Sequence, residues 1–371
     1  MNIKEQIKKD LILDAIENYK IILKLINSNP EIVSMIVFQY LPYLSLNLLD
    51  ILDVFGHIES ANNDYPQNIM KFSEIMKINR LLLKQETDTN KYKKIKKQIL
   101  SLLEKNYNYL TKDYNDFQNL FIKLYGQKDF AVFSFKGIPF FNNIQYMRFT
   151  EIFINKKENI SKDLIQITSS MTSFLQKFIS IHINNYNFEF IYNESIKYSE
   201  LDFDMNDYYV YDESRNDLFL NDLSIDQNTF LFNLICSTNS ANYLYPYVFK
   251  LKGSAMDRMR YITYLTLIKG LWIYNNEFRN LNQNLEHLIN KSDVIFQNDE
   301  NRKQFRNNLF HFDLDGDAKY SNNLINSLVR YHLNMSTDEF NLIVQESFEI
   351  YIKEANKMLF NEQKLFIGTN C

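Results

Sequence analysis

The chain has 371 residues and a formal net charge of −4 at pH 7. This length allows one large domain or two ordinary ones, with enough chain for a sizeable core. The small acidic excess argues against polyanion binding over the whole surface, although it leaves room for a local basic patch. Two cysteines exclude a disulfide framework and predict a reducing, cytoplasmic compartment.

Helical spacing of apolar residues predicts a series of helices in the first third of the chain. The first covers 4–28 and ends at Asn29-Pro30, because proline disfavours helical geometry in the residue before it and can start a new helix. A second helix runs to about Val54, and a turn cluster follows at 61–66. Further helices are predicted at 67–86, 91–111 and 114–125.

Two stretches of this region raise functional questions. Residues 32–49 contain no charged side chain and approach the length of a membrane span, but interspersed polar residues and Pro42 favour a buried core helix. No secretory signal is visible, and no membrane partner is expected. The basic run KYKKIKK at 91–97 is typical of the solvated face of an amphipathic helix, with RNA-backbone contact as the alternative.

The composition changes after residue 128. FAVFSFKGIPFF, with Gly137 and Pro139, predicts strands or an irregular hairpin, and 159–183 predicts a helix. Residues 187–214 are aromatic and acidic and predict a few strands and loops. Four aspartates here could suggest a metal cluster, but without histidine or cysteine nearby they favour a solvated loop: Asp202, Asp204, Asp207 and Asp212.

The C-terminal region predicts antiparallel helices joined by short loops, as in a helical bundle. They cover 228–249, 255–278, 280–291, 299–312, 321–333 and 336–361, with Ser321 as the expected cap of the fifth. The fold class is therefore mainly α, with helical bundles and a small β or irregular insertion. We divide the chain into an N-terminal helical region (1–128), a mixed region (129–225) and a C-terminal bundle (226–371).

One stretch of the bundle, ENRKQFRNNLFHFD at 300–313, contains residues suited to phosphate chemistry. Arg306 offers a planar fork of donors for phosphate oxygens. His311 can exchange a proton near neutral pH, and Asn307 adds an amide that can position a hydroxyl or phosphate. Arg306 and His311 are about 140° and 7.5 Å apart on a helix, a gap that long side chains can bridge.

Motifs for other chemistries are absent from the sequence. No Gly-rich phosphate loop, H-E-x-x-H or C-x-x-C occurs, and the five histidines have no zinc spacing, so no cofactor or metal is expected. His287 and His332 are interpreted as ordinary core or surface histidines. We therefore expect His332→Ala to leave activity near wild type.

The order R-N-x-x-x-H resembles the R-x(4-6)-H signature of the HEPN superfamily of ribonucleases, which occurs in abortive-infection, toxin and RNA-targeting CRISPR proteins. The resemblance covers roughly the last 120 residues and implies a C-terminal HEPN-like bundle. It implies metal-independent RNA cleavage, in which the 2′-hydroxyl attacks the adjacent phosphorus and leaves a 2′,3′-cyclic phosphate. In that chemistry His311 is the general acid or base, Arg306 stabilises the phosphate, and Asn307 orients Arg306 or the scissile group.

The same resemblance implies partners. The substrate would be tRNA or mRNA, and the biological role would be antiviral defence or toxin-type growth arrest. HEPN domains pair so that two motifs face one cleft, so this chain, with one motif, implies a homodimer through the bundle or an inactive second bundle in its N-terminal half. An antitoxin or regulatory partner is a further candidate. The alternative function is a non-catalytic helical protein that binds RNA or acts as a scaffold.

Overall fold

The computed structural model of the protein describes residues 3–26, 30–55, 91–153, 160–183, 202–249, 253–311 and 323–360, with isolated positions between 74 and 83. Of these residues 79% are helical, and a small three-stranded sheet accounts for the regular β structure. The predicted fold class, mainly α with a small β insertion, is confirmed. The three-part division of the chain and the likeness of the C-terminal bundle to a HEPN domain remain predictions.

The helices of the first half follow the predicted order, except that the helix at Asn143–Phe153 was not predicted. They are α1 (Ile3–Ile26), α2 (Pro30–Phe55), α3 (Tyr92–Thr111), α4 (Asp116–Tyr125), α5 (Asn143–Phe153) and α6 (Ile160–His182). The predicted turn at 61–66 and most of the helix predicted at 67–86 lie outside the described residues. The lysines of the basic run at 91–97 are exposed on α3, whereas Tyr92 and Ile95 are buried, which confirms the amphipathic interpretation.

The sheet contains β1 (Phe130–Phe135), β2 (Ile138–Asn142) and β3 (Phe203–Tyr208), antiparallel in the order β2-β1-β3. Lys136 and Gly137 form the β1–β2 turn, and both have positive φ (51° and 74°), as the two central residues of a type I′ turn require. Pro139 lies on the edge strand β2, where its missing N–H is tolerated. The predicted hairpin is therefore confirmed, and β3 falls within the segment predicted to hold strands and loops.

The second half contains the remaining helices. They are α7 (Ile225–Asn239), α8 (Ser254–Phe278), α9 (Gln283–Phe296), α10 (Asp299–His311), α11 (Leu324–Leu333) and α12 (Thr337–Phe360). A π-helical segment, Ser240–Phe249, continues directly from α7. The cap of α11 is Asn323, whose side chain accepts a hydrogen bond from the Asn326 amide, and not Ser321 as predicted.

The core is centred on α7 and α8. Fourteen of the fifteen residues of α7 are buried, because β2, α3, α8 and α12 all pack against it. Two of its polar side chains bind distant partners: Asn233 accepts from Asn142 at 2.8 Å, and Asn239 donates to the Pro139 carbonyl at 2.8 Å. Helix α7 thus joins the hairpin to the C-terminal helices.

One described helix is long and apolar enough to cross a membrane by length and composition. It is Met35–Phe55, with a mean hydropathy of 1.4, and 83% of the apolar window is buried inside the fold. Core helices and membrane-spanning helices can share this length and composition, so burial is the property that distinguishes them here. The high burial of this helix favours the predicted core helix.

Candidate functional site

The R-N-x-x-x-H motif lies in the last two turns of α10, as the sequence predicts. The helix starts after Asn298, whose side chain accepts a hydrogen bond from the Asn301 amide at 2.8 Å. Phe305, Leu309 and Phe310 are the buried side of the helix. This packing leaves Arg306, Asn307 and His311 on the sides of the helix that reach solvent.

The three predicted site residues have access to solvent. Arg306 is half-buried, Asn307 and His311 are exposed, and His311 is the final residue of the helix. The Arg306 guanidinium lies over the Phe310 ring, 5.5 Å from its centroid. Because Phe310 is one turn further along, this contact directs the guanidinium towards the end of the helix that carries His311.

Lys269, which is not among the predicted site residues, lies within electrostatic range of the Arg306 guanidinium. Lys269, on α8, is half-buried and its Nζ is 4.0 Å from the Trp272 ring centroid. Burial lowers the pKa of Lys269; Asp299 opposes the shift, and the neighbouring positive charges of Arg302, Arg306 and Lys303 add to it. The packing of α8 against α10 therefore places a further cation within electrostatic range of Arg306.

Two further cations of α10, Arg302 and Lys303, have acidic partners. Arg302 binds Asp293 and Asp299 at 2.5 and 3.2 Å, and Lys303 lies 3.9 Å from Glu300. Arg302 is thus engaged in holding α9 and α10 together.

The C-terminal end of α10 is held by a buried ion pair. Arg258, on α8, donates from Nε to the Leu309 carbonyl at 2.8 Å, and its Nη1 lies 2.7 Å from Asp50 Oδ2 on α2. Both side chains are almost fully buried. Burial raises the pKa of Asp50 to about 7, against the opposing effect of Arg258. Helix α2 is in this way tied to the turn that carries His311.

Two further aspartates, both on α1, bind helix starts in the C-terminal region. Asp10 accepts a hydrogen bond from the Leu324 amide at 2.8 Å, at the first residue of α11. Asp14 accepts from Ser254 Oγ at 2.8 Å, at the first residue of α8. Because buried carboxylates need such partners, α1 and the C-terminal helices form one connected polar network.

His332 is a core histidine. Its Nδ1 lies 2.9 Å from Asn301 Oδ1 and its Nε2 lies 3.1 Å from Asn308 Nδ2. These asparagines precede and follow Arg306-Asn307 on α10, so His332 holds the motif helix against α11. The effect of His332→Ala on activity stays a prediction, but these contacts show that its replacement would also disturb the packing of the motif helix.

The other candidates from the sequence do not assemble into a site. Asp204 and Asp207 are exposed on β3, and Asp212 caps a 3₁₀ turn by accepting from the Ser214 amide. Across the described residues, no group of three or more His, Cys, Asp or Glu could hold a metal ion.

Comparisons of the chain with protein-family models, with curated proteins and with solved structures find no match.

Lys269 and Arg258 are the residues that sequence reasoning missed. The only sign of Lys269 is a single lysine within the apolar stretch YLTLIKGLWIY, where a charged side chain needs a partner or an exit to solvent. Nothing in the sequence near Arg258 indicates its two partners, which lie more than 50 residues away. Helix packing alone brings these residues to the motif.

Proposed function

We propose that the protein is a metal-independent RNA endonuclease of the HEPN type, acting on tRNA or mRNA in antiviral defence or toxin-type growth arrest. The main support for the proposal is the arrangement of side chains in the last turns of α10. There Arg306 and His311 have solvent access, Arg306 leans towards the helix end over Phe310, and Lys269 adds a nearby positive charge.

In the proposed reaction the 2′-hydroxyl loses its proton to a base and its oxygen attacks the adjacent phosphorus. The bond from phosphorus to the 5′-oxygen breaks, and that oxygen takes up a proton. The products are a 2′,3′-cyclic phosphate and a 5′-hydroxyl. His311 performs one of the two proton transfers.

The remaining groups act on the phosphate. Arg306 donates to the phosphate oxygens and stabilises the charge that builds on them. Asn307 orients Arg306 or the scissile group, and Lys269 strengthens the field that attracts the RNA backbone. A single His311 serves one proton transfer at a time, so we include in the proposal a homodimer through the C-terminal bundle that brings a second motif to the cleft.

RNA cleavage by the purified protein tests the proposal. His311→Ala should reduce the cleavage rate at least about 100-fold, the usual contribution of a general acid or base. Arg306→Ala should cause a similar loss, and Arg306→Lys should fail to restore it, because a point charge does not replace a two-pronged donor. EDTA should leave the rate unchanged.

His287→Ala is the matched control, since His287 is an exposed histidine on the neighbouring helix α9. It should cleave like the wild type. Full activity in His311→Ala, or loss of activity in EDTA, would exclude the proposed mechanism. The chain would then be better explained as a non-catalytic RNA-binding or scaffold protein.

A further inference from the structure

Helix α4 exposes a complete apolar stripe. Its members follow the i, i+3, i+4, i+7, i+8 spacing of a helix that packs on a core, and none of the ten residues of α4 is buried. The stripe consists of Phe117 (74% exposed), Leu120 (55%), Phe121 (52%), Leu124 (63%) and Tyr125 (61%). The side of α4 whose apolar spacing is typical of packing on a core therefore faces solvent.

The helix is nevertheless fixed to the protein at both ends. At its start, Asn115 and Gln118 form a reciprocal capping box. At its end, Arg215 donates to the carbonyls of Ile122, Lys123 and Leu124 at 3.2–3.3 Å. A ten-residue helix is marginal on its own, so these contacts with its backbone ends hold it in place while the side chains of the stripe stay exposed.

Gly126 makes the second attachment possible. It has a φ of 81°, and a Cβ there would lie 2.8 Å from Arg215 and 2.9 Å from Tyr209. Only glycine allows this conformation and this close approach. Gly126 therefore allows the close approach of Arg215 that fixes the end of α4.

The size of the stripe fits a protein interface. Large aromatic side chains carry about 150–250 Å² each, so three aromatic and two leucine side chains at the observed exposures present on the order of 500 Å². A standard interface buries about 800 Å² per partner, with an apolar centre and a polar rim. The stripe can supply the apolar centre of such an interface.

We propose that α4 pairs with α4 of a second copy of this chain, antiparallel about a twofold axis between Leu120 and Phe121. In that arrangement four members of the stripe are self-complementary, because Phe117 meets Leu124 of the partner subunit and Leu120 meets Phe121 of the partner subunit. A twofold axis requires such a self-matching surface.

The charges of α4 favour the same arrangement. Asp116 is in the first turn and Lys123 in the last. Antiparallel pairing brings opposite charges and opposite helix ends together, whereas parallel pairing would oppose like charges. Residues 116–125 lie outside the predicted C-terminal bundle, so this contact is separate from the dimer included in the nuclease proposal.

The molar mass of the full chain in solution, measured by sedimentation equilibrium over a range of concentrations, tests the pairing. Phe117→Glu and Leu124→Lys should each weaken the association at least about 100-fold, as expected for central apolar contacts. At concentrations between the dissociation constants of the wild type and the variant, each variant should have a lower average mass than the wild type, whether or not the bundle forms its own dimer. The double variant Phe117→Glu with Leu124→Lys should recover association, because each introduced acid then faces an introduced base across the axis.

Leu342→Glu is the matched control, since Leu342 is a leucine on α12 with the same exposure (61%) as Tyr125 of the stripe. It should leave the mass unchanged, and circular dichroism should show all variants folded. The pairing is overturned if the wild type has the same mass as the single variants at every concentration. It is also overturned if the double variant stays dissociated, as expected for a different register or a different partner.

Discussion

At the scale of single residues, Lys269 is the least expected member of the candidate site. Burial lowers its pKa, and three neighbouring cations add to that effect. A bound phosphate would supply the negative charge that this group of cations favours. Lys269 therefore has a physical reason to act together with Arg306.

We predict that Lys269→Ala reduces RNA cleavage about tenfold or more, mainly by weakening substrate binding, because charged hydrogen bonds contribute more than neutral ones. Lys269→Arg should retain most of the activity. Steady-state kinetics on a short RNA would measure this, with Lys353→Ala, an exposed lysine on α12, as the control. Equal effects of the Lys269 and Lys353 substitutions would argue against a role for Lys269.

His332 has a structural role, and its replacement should affect stability. His332→Ala leaves the amides of Asn301 and Asn308 without their ring partner. We expect the free energy of unfolding to fall by about 1–3 kcal/mol, measured by urea denaturation. Replacement of the exposed His287 should change it by less than about 0.5 kcal/mol. A similar result for the two variants would contradict the role assigned to His332.

At the scale of elements, Arg258 connects three helices. It lies on α8, bonds the last turn of α10 and pairs with Asp50 on α2. Buried charges that lose their partner are costly, whereas an apolar replacement of the whole pair is often tolerated. Arg258 therefore couples the N-terminal helices to the position of the motif.

We predict that Arg258→Met lowers the free energy of unfolding by about 3–5 kcal/mol at pH 8, where Asp50 is left buried and unpaired. The double variant with Asp50→Leu should recover a large part of this loss. Chemical denaturation of the four proteins in this double-mutant cycle would measure the coupling. Additive effects of the two substitutions would show that the pair does not act as a unit.

At the scale of the whole molecule, buried carboxyl groups make stability depend on pH. Burial raises the pKa of Asp14 from 3.8 to about 7, and that of Asp50 likewise to about 7, partly offset by Arg258. The folded protein therefore keeps these protons at pH values where the unfolded chain has lost them. Asp14 also interacts with the charges of Asp10 and Asp50.

The direction of the effect follows from proton linkage. Between about pH 4 and pH 7 the folded state binds more protons than the unfolded state, so the free energy of unfolding falls as pH rises through this range and levels off above it. We predict a smaller fall in Asp14→Asn, whose side chain stays neutral and can still accept from Ser254. Urea denaturation at several pH values would show this.

Asp113→Asn serves as the control, because the Asp113 side chain is 85% exposed. It should keep the pH dependence of the wild type. If the free energy of unfolding of Asp14→Asn depends on pH as in the wild type, then Asp14 is already ionised in the folded protein below pH 7. The raised pKa of Asp14 would then not explain the pH dependence.

The helices and the hairpin could largely be predicted because their signals are local. Apolar spacing, Pro30 and the Lys136-Gly137 turn act within a few residues of the backbone that they shape. Helix α5 was missed, although Asn142 and Gln145 form a capping box at its start, with Asn142 accepting from the Gln145 amide and the Gln145 side chain from the Asn142 amide. The change to a π-helix at 240–249 was missed too. Pro246 has no N–H for regular helical bonding, but the sequence does not reveal how the helix adjusts.

The sequence alone determined the fold class, the order of most elements and the position of Arg306, Asn307 and His311 on one helix. Only the tertiary structure decided which residues join them: Lys269 beside Arg306, Arg258 and Asp50 behind the helix end, and His332 between two asparagines. It also decided that the apolar side of α4 faces outward. The reason is that helical periodicity depends on neighbours within one or two turns, whereas burial and long-range charge contacts depend on how separate helices pack.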